Sequence, residues 1–180
     1  LPSNTALCVG PNIDYVRVRT KNPYSGAEAV FVLAKARVEA VMGKNEYEIL
    51  PGEFKGKDLV GLEYEQLIPW FNPGEGAFRV IPGDYVTTED GTGIVHIAPT
   101  FGADDNKVAK AAGVPPMQVV DKNGDRQAQV DRQGRFYRIE DLDADWCKAN
   151  MDPSYAEWAG RYVKNAYDAT LPADAPTLDV

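Results

Sequence analysis

The sequence has a single histidine, His96, and only two cysteines among its 180 residues. Cys8 and Cys147 lie too far apart to form a Cys-x-x-Cys ligand pair, and two cysteines do not make a disulfide framework. One histidine excludes a zinc site with several histidine ligands. We therefore expect no metal site, and His96 is the one candidate for histidine-dependent chemistry.

The sequence also lacks a long apolar run and an excess of basic residues. No segment approaches the roughly 18 uninterrupted apolar residues that span a bilayer, and no secretory leader opens the chain. Nineteen Lys and Arg against 27 Asp and Glu give a formal charge of −8, which opposes unaided binding of a polyanion such as RNA. We expect a cytoplasmic protein without membrane contact, to which something else delivers any nucleic acid. The absent initiator Met and the Pro- and Ala-rich end suggest a piece of a longer polypeptide.

Several short segments have the alternation or composition of β-strands, and turn dipeptides such as Pro51-Gly52 and Asp90-Gly91 separate many of them. The predicted strands are residues 15–20, 29–33, 46–50, 77–81, 85–87, 91–98, 118–121 and 126–130. Many short strands with frequent turns are typical of a closed or barrel-like sheet.

Apolar residues at helical spacing predict four helices, over residues 34–42, 102–113, 139–149 and 154–165. The fold class is therefore α+β, with a β-barrel-like core of short strands and peripheral helices. We expect one domain, with a barrel core at 1–137, a helical elaboration at 138–165 and a tail at 166–180.

The segment from Asp90 to Asp105 is the most informative part of the sequence. It joins a glycine-rich turn, an apolar strand that carries His96, a proline exit and a helix with two carboxylates in its first turn. A carboxylate there stays ionised beside the helix dipole and can receive the α-ammonium group of an amino acid. By position alone, however, Asp104 and Asp105 more often cap a helix and a lone histidine is more often structural.

Residues 91–99 (GTGIVHIAP), followed by residues 101–105 (FGADD), resemble the signature of the editing insertion of isoleucyl-tRNA synthetases. The opening Leu-Pro-Ser-Asn resembles the segment that follows a threonine-rich peptide in that family. The similarity is strong over residues 1–125 and weaker from residue 139 onward. Related valyl and leucyl synthetases usually lack a histidine at position 96, which favours the isoleucyl assignment and implies the editing-domain fold that the three families share.

The resemblance implies a role for each candidate site residue. Asp105 would bind the α-amino group of a misattached amino acid, and His96 would line the side-chain pocket and orient the ester or the attacking water. Asn4 would lie near the threonine-rich strand. Further substrate contacts are expected from Thr92, Gly93, Phe101 and Gly102. The threonine-rich peptide itself is expected just before Leu1, so we expect the isolated fragment to bind substrate weakly or to be inactive.

The resemblance also implies an activity, which is hydrolysis of valine misattached to tRNA(Ile) and, as a further substrate, of valyl-adenylate. The expected partners are the 3′ end of tRNA(Ile) and the rest of the synthetase in cis, with the domain itself monomeric. No cofactor is expected here, because ATP and Mg²⁺ would serve the separate synthetic domain. Two alternatives stay open: a valyl-type editing domain that acts on threonyl-tRNA, and a non-catalytic tRNA-binding module.

Overall fold

The computed structural model describes residues 2–164 and 167–170, which form a mixed α+β structure of short strands and few helices. The described strands are β1 (Ala6–Val9), β2 (Asp14–Lys21), β3 (Glu28–Ala34), β4 (Tyr47–Ile49), β5 (Phe54–Lys55), β6 (Arg79–Pro82), β7 (Ile94–Ile97), β8 (Gln118–Val120) and β9 (Arg126–Ala128). The α-helices are α1 (Val38–Met42), α2 (Ala103–Ala112) and α3 (Ala144–Asn150), and 3₁₀ helices span Lys35–Arg37, Gly56–Asp58, Ile139–Asp141 and Pro153–Glu157. The predicted α+β class is confirmed.

The chain divides into two compact units. Unit 1 consists of residues 1–5, 65–77 and 98–180, and unit 2 consists of residues 6–64 and 78–97. The predicted division into a core at 1–137, an elaboration at 138–165 and a tail at 166–180 stays a prediction. Most of that tail, residues 166 and 171–180, lies outside the described residues.

Unit 2 contains two small sheets. In the first, β1 lies between β6, to which it is parallel, and β7, to which it is antiparallel. In the second, the order is β3-β2-β4, and β5 also pairs with β2. With the β8–β9 hairpin of unit 1, the described strands thus form three separate sheets rather than the closed barrel that their number and spacing suggested.

Strand β2 follows the predicted alternation from Val16 onward, with Val16 and Val18 buried and Arg17 and Arg19 exposed. Both valines pack with Leu33 of β3 and with Val38 and Met42 of α1, so the short helix covers one face of the sheet. Helix α1 ends at a glycine with a positive φ of 56°, as the sequence predicted.

The helices of the last third are shorter than predicted. The helix predicted at residues 139–149 breaks at Leu142, because the extended backbone of this residue ends the 3₁₀ helix. Helix α3 then begins after Asp143, whose side chain caps it by accepting a hydrogen bond from the Trp146 N–H at 2.7 Å. The second is only a 3₁₀ helix, and its predicted end at residue 165 lies outside the described part.

An aromatic cluster forms the centre of unit 1. The ring of Trp70 contacts those of Phe136, Tyr155 and Trp158, with centroids 5.0–5.6 Å apart. The buried Tyr155 hydroxyl donates a hydrogen bond to the Tyr137 carbonyl oxygen at 2.6 Å. These contacts join the residue 65–77 segment to the C-terminal third.

One predicted strand was wrong and two strands were not predicted. Residues 85–87 form no strand, and the sequence analysis missed β1 and the two-residue β5. Ala6, Cys8 and Val9 of β1 are each fully buried, so this central strand lacks the polar alternation that reveals a half-exposed one. In the described part of the chain, no helix is long and apolar enough to cross a membrane.

Candidate functional site

Asp105 lies in the first turn of α2, in unit 1, and is half-buried, whereas the adjacent Asp104 is exposed. Its Oδ2 accepts a hydrogen bond from the Ala98 backbone N–H at 2.8 Å. The N-cap of α2 is Gly102, and no side chain caps the helix there. The Asp105 carboxylate is therefore bonded to the loop that precedes the helix and does not cap the helix.

That loop, residues 98–102, is held by further hydrogen bonds. Asn106 Nδ2 donates to the Pro99 carbonyl oxygen at 3.1 Å, and Thr100 Oγ1 donates to the Met117 carbonyl oxygen at 2.8 Å. The Phe101 side chain is 58% exposed at the end of this loop. The loop thus holds an aromatic ring in solvent four residues before Asp105.

Gly102 is favoured by the limited space beside it rather than by its backbone conformation. Its φ of −116° suits any residue, but a Cβ atom there would lie 3.0 Å from the Asp105 carboxyl carbon. A side chain at position 102 would therefore displace the Asp105 carboxylate.

Asn4 is half-buried in unit 1, in a segment anchored by its neighbours. The Ser3 hydroxyl accepts a hydrogen bond from Gln129 Nε2 at 2.9 Å, and both residues are buried. Thr5 is fully buried. Asn4 therefore lies between two buried residues, one of which is held by a side-chain hydrogen bond.

His96 lies in β7 of unit 2 and pairs with Leu7 of β1. The residue is exposed, while the next one, Ile97, is fully buried. The strand predicted from the sequence therefore places the imidazole on the solvent face of this sheet.

The turn that leads into β7 is held by hydrogen bonds to its backbone carbonyl oxygens. Gly93 has a φ of +76°, and a Cβ atom there would lie 2.5 Å from the Ala34 Cβ, so conformation and space both require glycine. Its carbonyl oxygen accepts a hydrogen bond from the buried Tyr15 hydroxyl at 2.6 Å. The carbonyl oxygen of Thr92, an exposed residue, accepts one from the Ala34 N–H at 2.8 Å.

Sequence reasoning missed two residues that support this turn, Tyr15 and Arg37. Arg37 Nε donates to the Gly91 carbonyl oxygen at 2.9 Å, and Nη1 donates to that of Glu89 at 3.1 Å. The partners are more than 50 residues apart in sequence. A single sequence carries no signal for such pairs, because arginine and tyrosine are common in strands and helices without this role.

The candidate residues thus fall into two groups. Unit 1 holds Asn4 and, on one loop and the helix start that follows it, Phe101, Gly102 and Asp105. Unit 2 holds Thr92, Gly93 and His96 on one turn and the strand that follows it. A valine-sized cavity bordered by both Asp105 and His96 stays a prediction. Within residues 2–164 and 167–170, no cluster of three or more His, Cys, Asp or Glu residues could hold a metal ion.

Comparison with known proteins identifies the family. An isoleucine–tRNA ligase of Bacteroides fragilis is 56% identical over 196 aligned residues, which cover 100% of this chain and 17% of that protein. An isoleucine–tRNA ligase of Porphyromonas gingivalis is 54% identical over 197 residues, with the same two coverages. One from Clostridium tetani is 52% identical over 124 residues, covering 69% of this chain and 11% of that protein. No protein-family model matches the chain.

These relatives are all tRNA ligases. The chain belongs to the isoleucine–tRNA ligase family, and it spans about 17% of the length of the curated relatives that it matches in full. The family predicted from residues 91–105 is therefore confirmed. A solved structure titled "The crystal structure of GlLeuRS-CP1" matches with a TM-score of 0.46 and 21% sequence identity. The match covers 62% of this chain and 44% of that chain. This likeness is too low to add to the family assignment.

Proposed function

We propose that this chain is the editing domain of an isoleucyl-tRNA synthetase and hydrolyses valine misattached to tRNA(Ile). The observation that carries the proposal is the half-buried Asp105 carboxylate, held in place by the Ala98 N–H and approached closely by Gly102. Membership of the isoleucine–tRNA ligase family supplies the chemical context, since such an enzyme must distinguish two amino acids that differ by one methylene.

Selection by binding alone is too weak for this task. One methylene in an apolar pocket contributes about 1–3 kcal/mol, and isoleucine against valine is the established example. A second site that hydrolyses the smaller product removes the error, because isoleucine is excluded from it by size. The proposed site accordingly recognises what both amino acids share, the ammonium group, and selects by the volume of the side-chain pocket.

Asp105 suits the recognition of an ammonium group. An ionised carboxylate forms short, strong hydrogen bonds with a cationic donor. Its position in the first turn of a ten-residue helix places it beside the positive end of the helix dipole. Asp104 is exposed in the same turn and has no such loop contact described, so Asp105 is assigned the role.

We propose that water attacks the ester directly. The water oxygen adds to the ester carbonyl carbon, the bond to the ribose oxygen breaks, and the ribose oxygen takes up a proton as valine leaves. A single histidine and no suitable cysteine disfavour a covalent triad. His96 would orient the ester or the water, and backbone N–H groups and hydroxyls would stabilise the oxyanion.

The remaining assignments concern the parent enzyme. The partners proposed are the 3′ end of tRNA(Ile), which the parent delivers to an acidic domain, and the rest of the synthetase in cis. Ligation with ATP and Mg²⁺ belongs to the parent's synthetic domain, and the editing domain uses no cofactor. Valyl-adenylate is a second proposed substrate, and we propose a monomeric domain in a cytoplasmic enzyme.

The proposal is tested by measuring hydrolysis of valyl-, threonyl- and isoleucyl-tRNA(Ile) by the full-length enzyme. We expect rapid release of valine, slower release of threonine and very little release of isoleucine. Faster release of threonine than of valine would instead identify a valyl-type editing domain. Release of neither amino acid above the uncatalysed rate would leave only a tRNA-binding module.

A further inference from the structure

Strand β3 lies at the edge of its sheet. It pairs with β2 on one side over seven consecutive residue pairs, and no strand of the described part pairs with its other side. Soluble proteins usually protect such edges with proline, lysine, a bulge or short length. The sequence of β3, EAVFVLA, contains neither proline nor lysine, and its register is unbroken. Apart from the charged Glu28 at its start and Ala34 at its end, whose N–H is bonded to Thr92, this edge is therefore unprotected.

The hydrogen bonds show which backbone groups face the open side. The Ala34 N–H donates to the Thr92 carbonyl oxygen at 2.8 Å, outside the β2–β3 pair. Backbone groups alternate in direction along an antiparallel strand, so those of Val32 and Val30 also point away from β2. Those of Leu33 and Phe31 point towards it. An added strand would therefore find the donors and acceptors of Val30 and Val32.

An apolar groove lies against the same strand, and its lining extends onto β2 at Thr20 and Lys21. Phe31, Val32 and Leu33 all line a cavity of about 300 Å³, although their side chains alternate between the two faces of the strand. The rest of the apolar lining comes from Pro23, Met42, Tyr24, which is 98% exposed, and Val41, which is 39% exposed. An open strand edge beside an apolar groove is the arrangement in which a peptide binds by adding a strand.

We propose that the outer edge of β3 binds an extended apolar segment of the same polypeptide, from outside residues 1–180. The relatives are about six times as long as this chain, which supplies abundant sequence for such a segment. A second copy is a poor occupant, because two chains of net charge −8 repel each other. RNA is a poor occupant, because the groove lining is mainly apolar. This proposal does not depend on the proposed function.

The first test is hydrogen–deuterium exchange, resolved to single amides, on the full-length enzyme. Phe31 and Leu33 amides should exchange slowly in any case, because they bond to β2. The proposal predicts that Val30 and Val32 amides exchange as slowly as these two. Fast exchange at Val30 and Val32 beside slow exchange at Phe31 and Leu33 would show an uncovered edge and overturn the proposal.

The second test identifies what covers the edge. The photocrosslinking residue p-benzoylphenylalanine replaces Val32 in the full-length enzyme. In a matched control it replaces Val60, because the exposure of Val60, 41%, is close to the 37% of Val32. We expect the Val32 probe alone to give an intramolecular crosslink to a segment beyond residues 1–180. Crosslinks between two copies, crosslinks confined to residues 1–180, or a yield no higher than that of the Val60 probe would each contradict the proposal.

Discussion

The Asp105 carboxylate accepts a hydrogen bond from the Ala98 backbone N–H at 2.8 Å. This contact joins the first turn of α2 to the residue that directly follows strand β7. It fixes the direction of the carboxylate before any substrate arrives. Preorganised charge of this kind is more effective than charge that must reorient on binding, because no free energy is spent on ordering it.

Gly102 should control the placement of this carboxylate. In Gly102→Ala, the added methyl group would lie 3.0 Å from the Asp105 carboxyl carbon and must displace it. A shift of a few tenths of an ångström relieves this contact, so we expect kcat/KM for valyl-tRNA deacylation by the full-length enzyme to fall about 3- to 10-fold, less than the roughly 100-fold cost of a 1 Å misplacement.

The control for this change is Ala103→Ser, at the next and exposed position. It should leave deacylation unchanged. Wild-type deacylation by Gly102→Ala would show that the carboxylate is not placed by this contact.

The Tyr15 hydroxyl should stabilise unit 2. It donates to the Gly93 carbonyl oxygen at 2.6 Å and accepts from the Gly10 N–H at 3.1 Å, both in buried surroundings. Tyr15→Phe leaves two backbone groups without this partner, and we expect a loss of about 1–3 kcal/mol in the free energy of unfolding. Urea denaturation measures the loss. Tyr47→Phe, at a residue 40% exposed, is the control and should stay within about 0.5 kcal/mol of wild type.

Stability should fall at alkaline pH. Burial raises the pKa of Tyr155 above its ordinary value of 10.0, with a smaller contribution from the nearby Cys147. Above pH 10 the unfolded chain therefore releases this proton while the folded protein keeps it, so rising pH favours unfolding. Below pH 10 both states keep the proton and the contribution is constant. Each such tyrosine should lower the free energy of unfolding by about 1.4 kcal/mol per pH unit above 10.

Urea denaturation of wild type and Tyr155→Phe at several pH values between 8 and 11.5 checks this expectation. The variant should show a shallower decline above pH 10, by about the same 1.4 kcal/mol per unit. Tyr24→Phe, at a residue 98% exposed, should keep the wild-type slope. Equal slopes for wild type and Tyr155→Phe would contradict the assignment.

Local signals in the sequence predicted several elements well. The helix expected between Gly102 and Gly113 is α2, and it ends at Gly113 in the left-handed conformation. The strands predicted at residues 118–121 and 126–130 contain β8 and β9, which form a hairpin whose turn is held by Asp121 Oδ1 accepting the N–H groups of Asn123 and Asp125. In each case the residues that set the conformation lie within the element or next to it.

Other features could not be predicted because they depend on distant contacts. Three of the four residues of strand β1 are fully buried and all four are apolar, so its composition resembles that of any apolar segment. Tyr15 and Arg37 support the turn before β7 through hydrogen bonds to residues that lie 78 and 54 positions further along the sequence. The division into two units also separates His96 from Asp105, although only eight residues lie between them. The motif therefore identified the family, but its spacing did not give the geometry of the site.

The charge of Asp105 is the centre of the account, and Asp105→Asn tests it with little disturbance of the fold. The asparagine oxygen can still accept the hydrogen bond from the Ala98 N–H, whereas the negative charge that would bind the substrate ammonium is lost. In the full-length enzyme we expect valyl-tRNA deacylation to fall roughly 100-fold or more. Isoleucine activation and stability should be unchanged, and Asp104→Asn should deacylate like wild type. Wild-type deacylation by Asp105→Asn, or an equal loss in Asp104→Asn, would contradict the account.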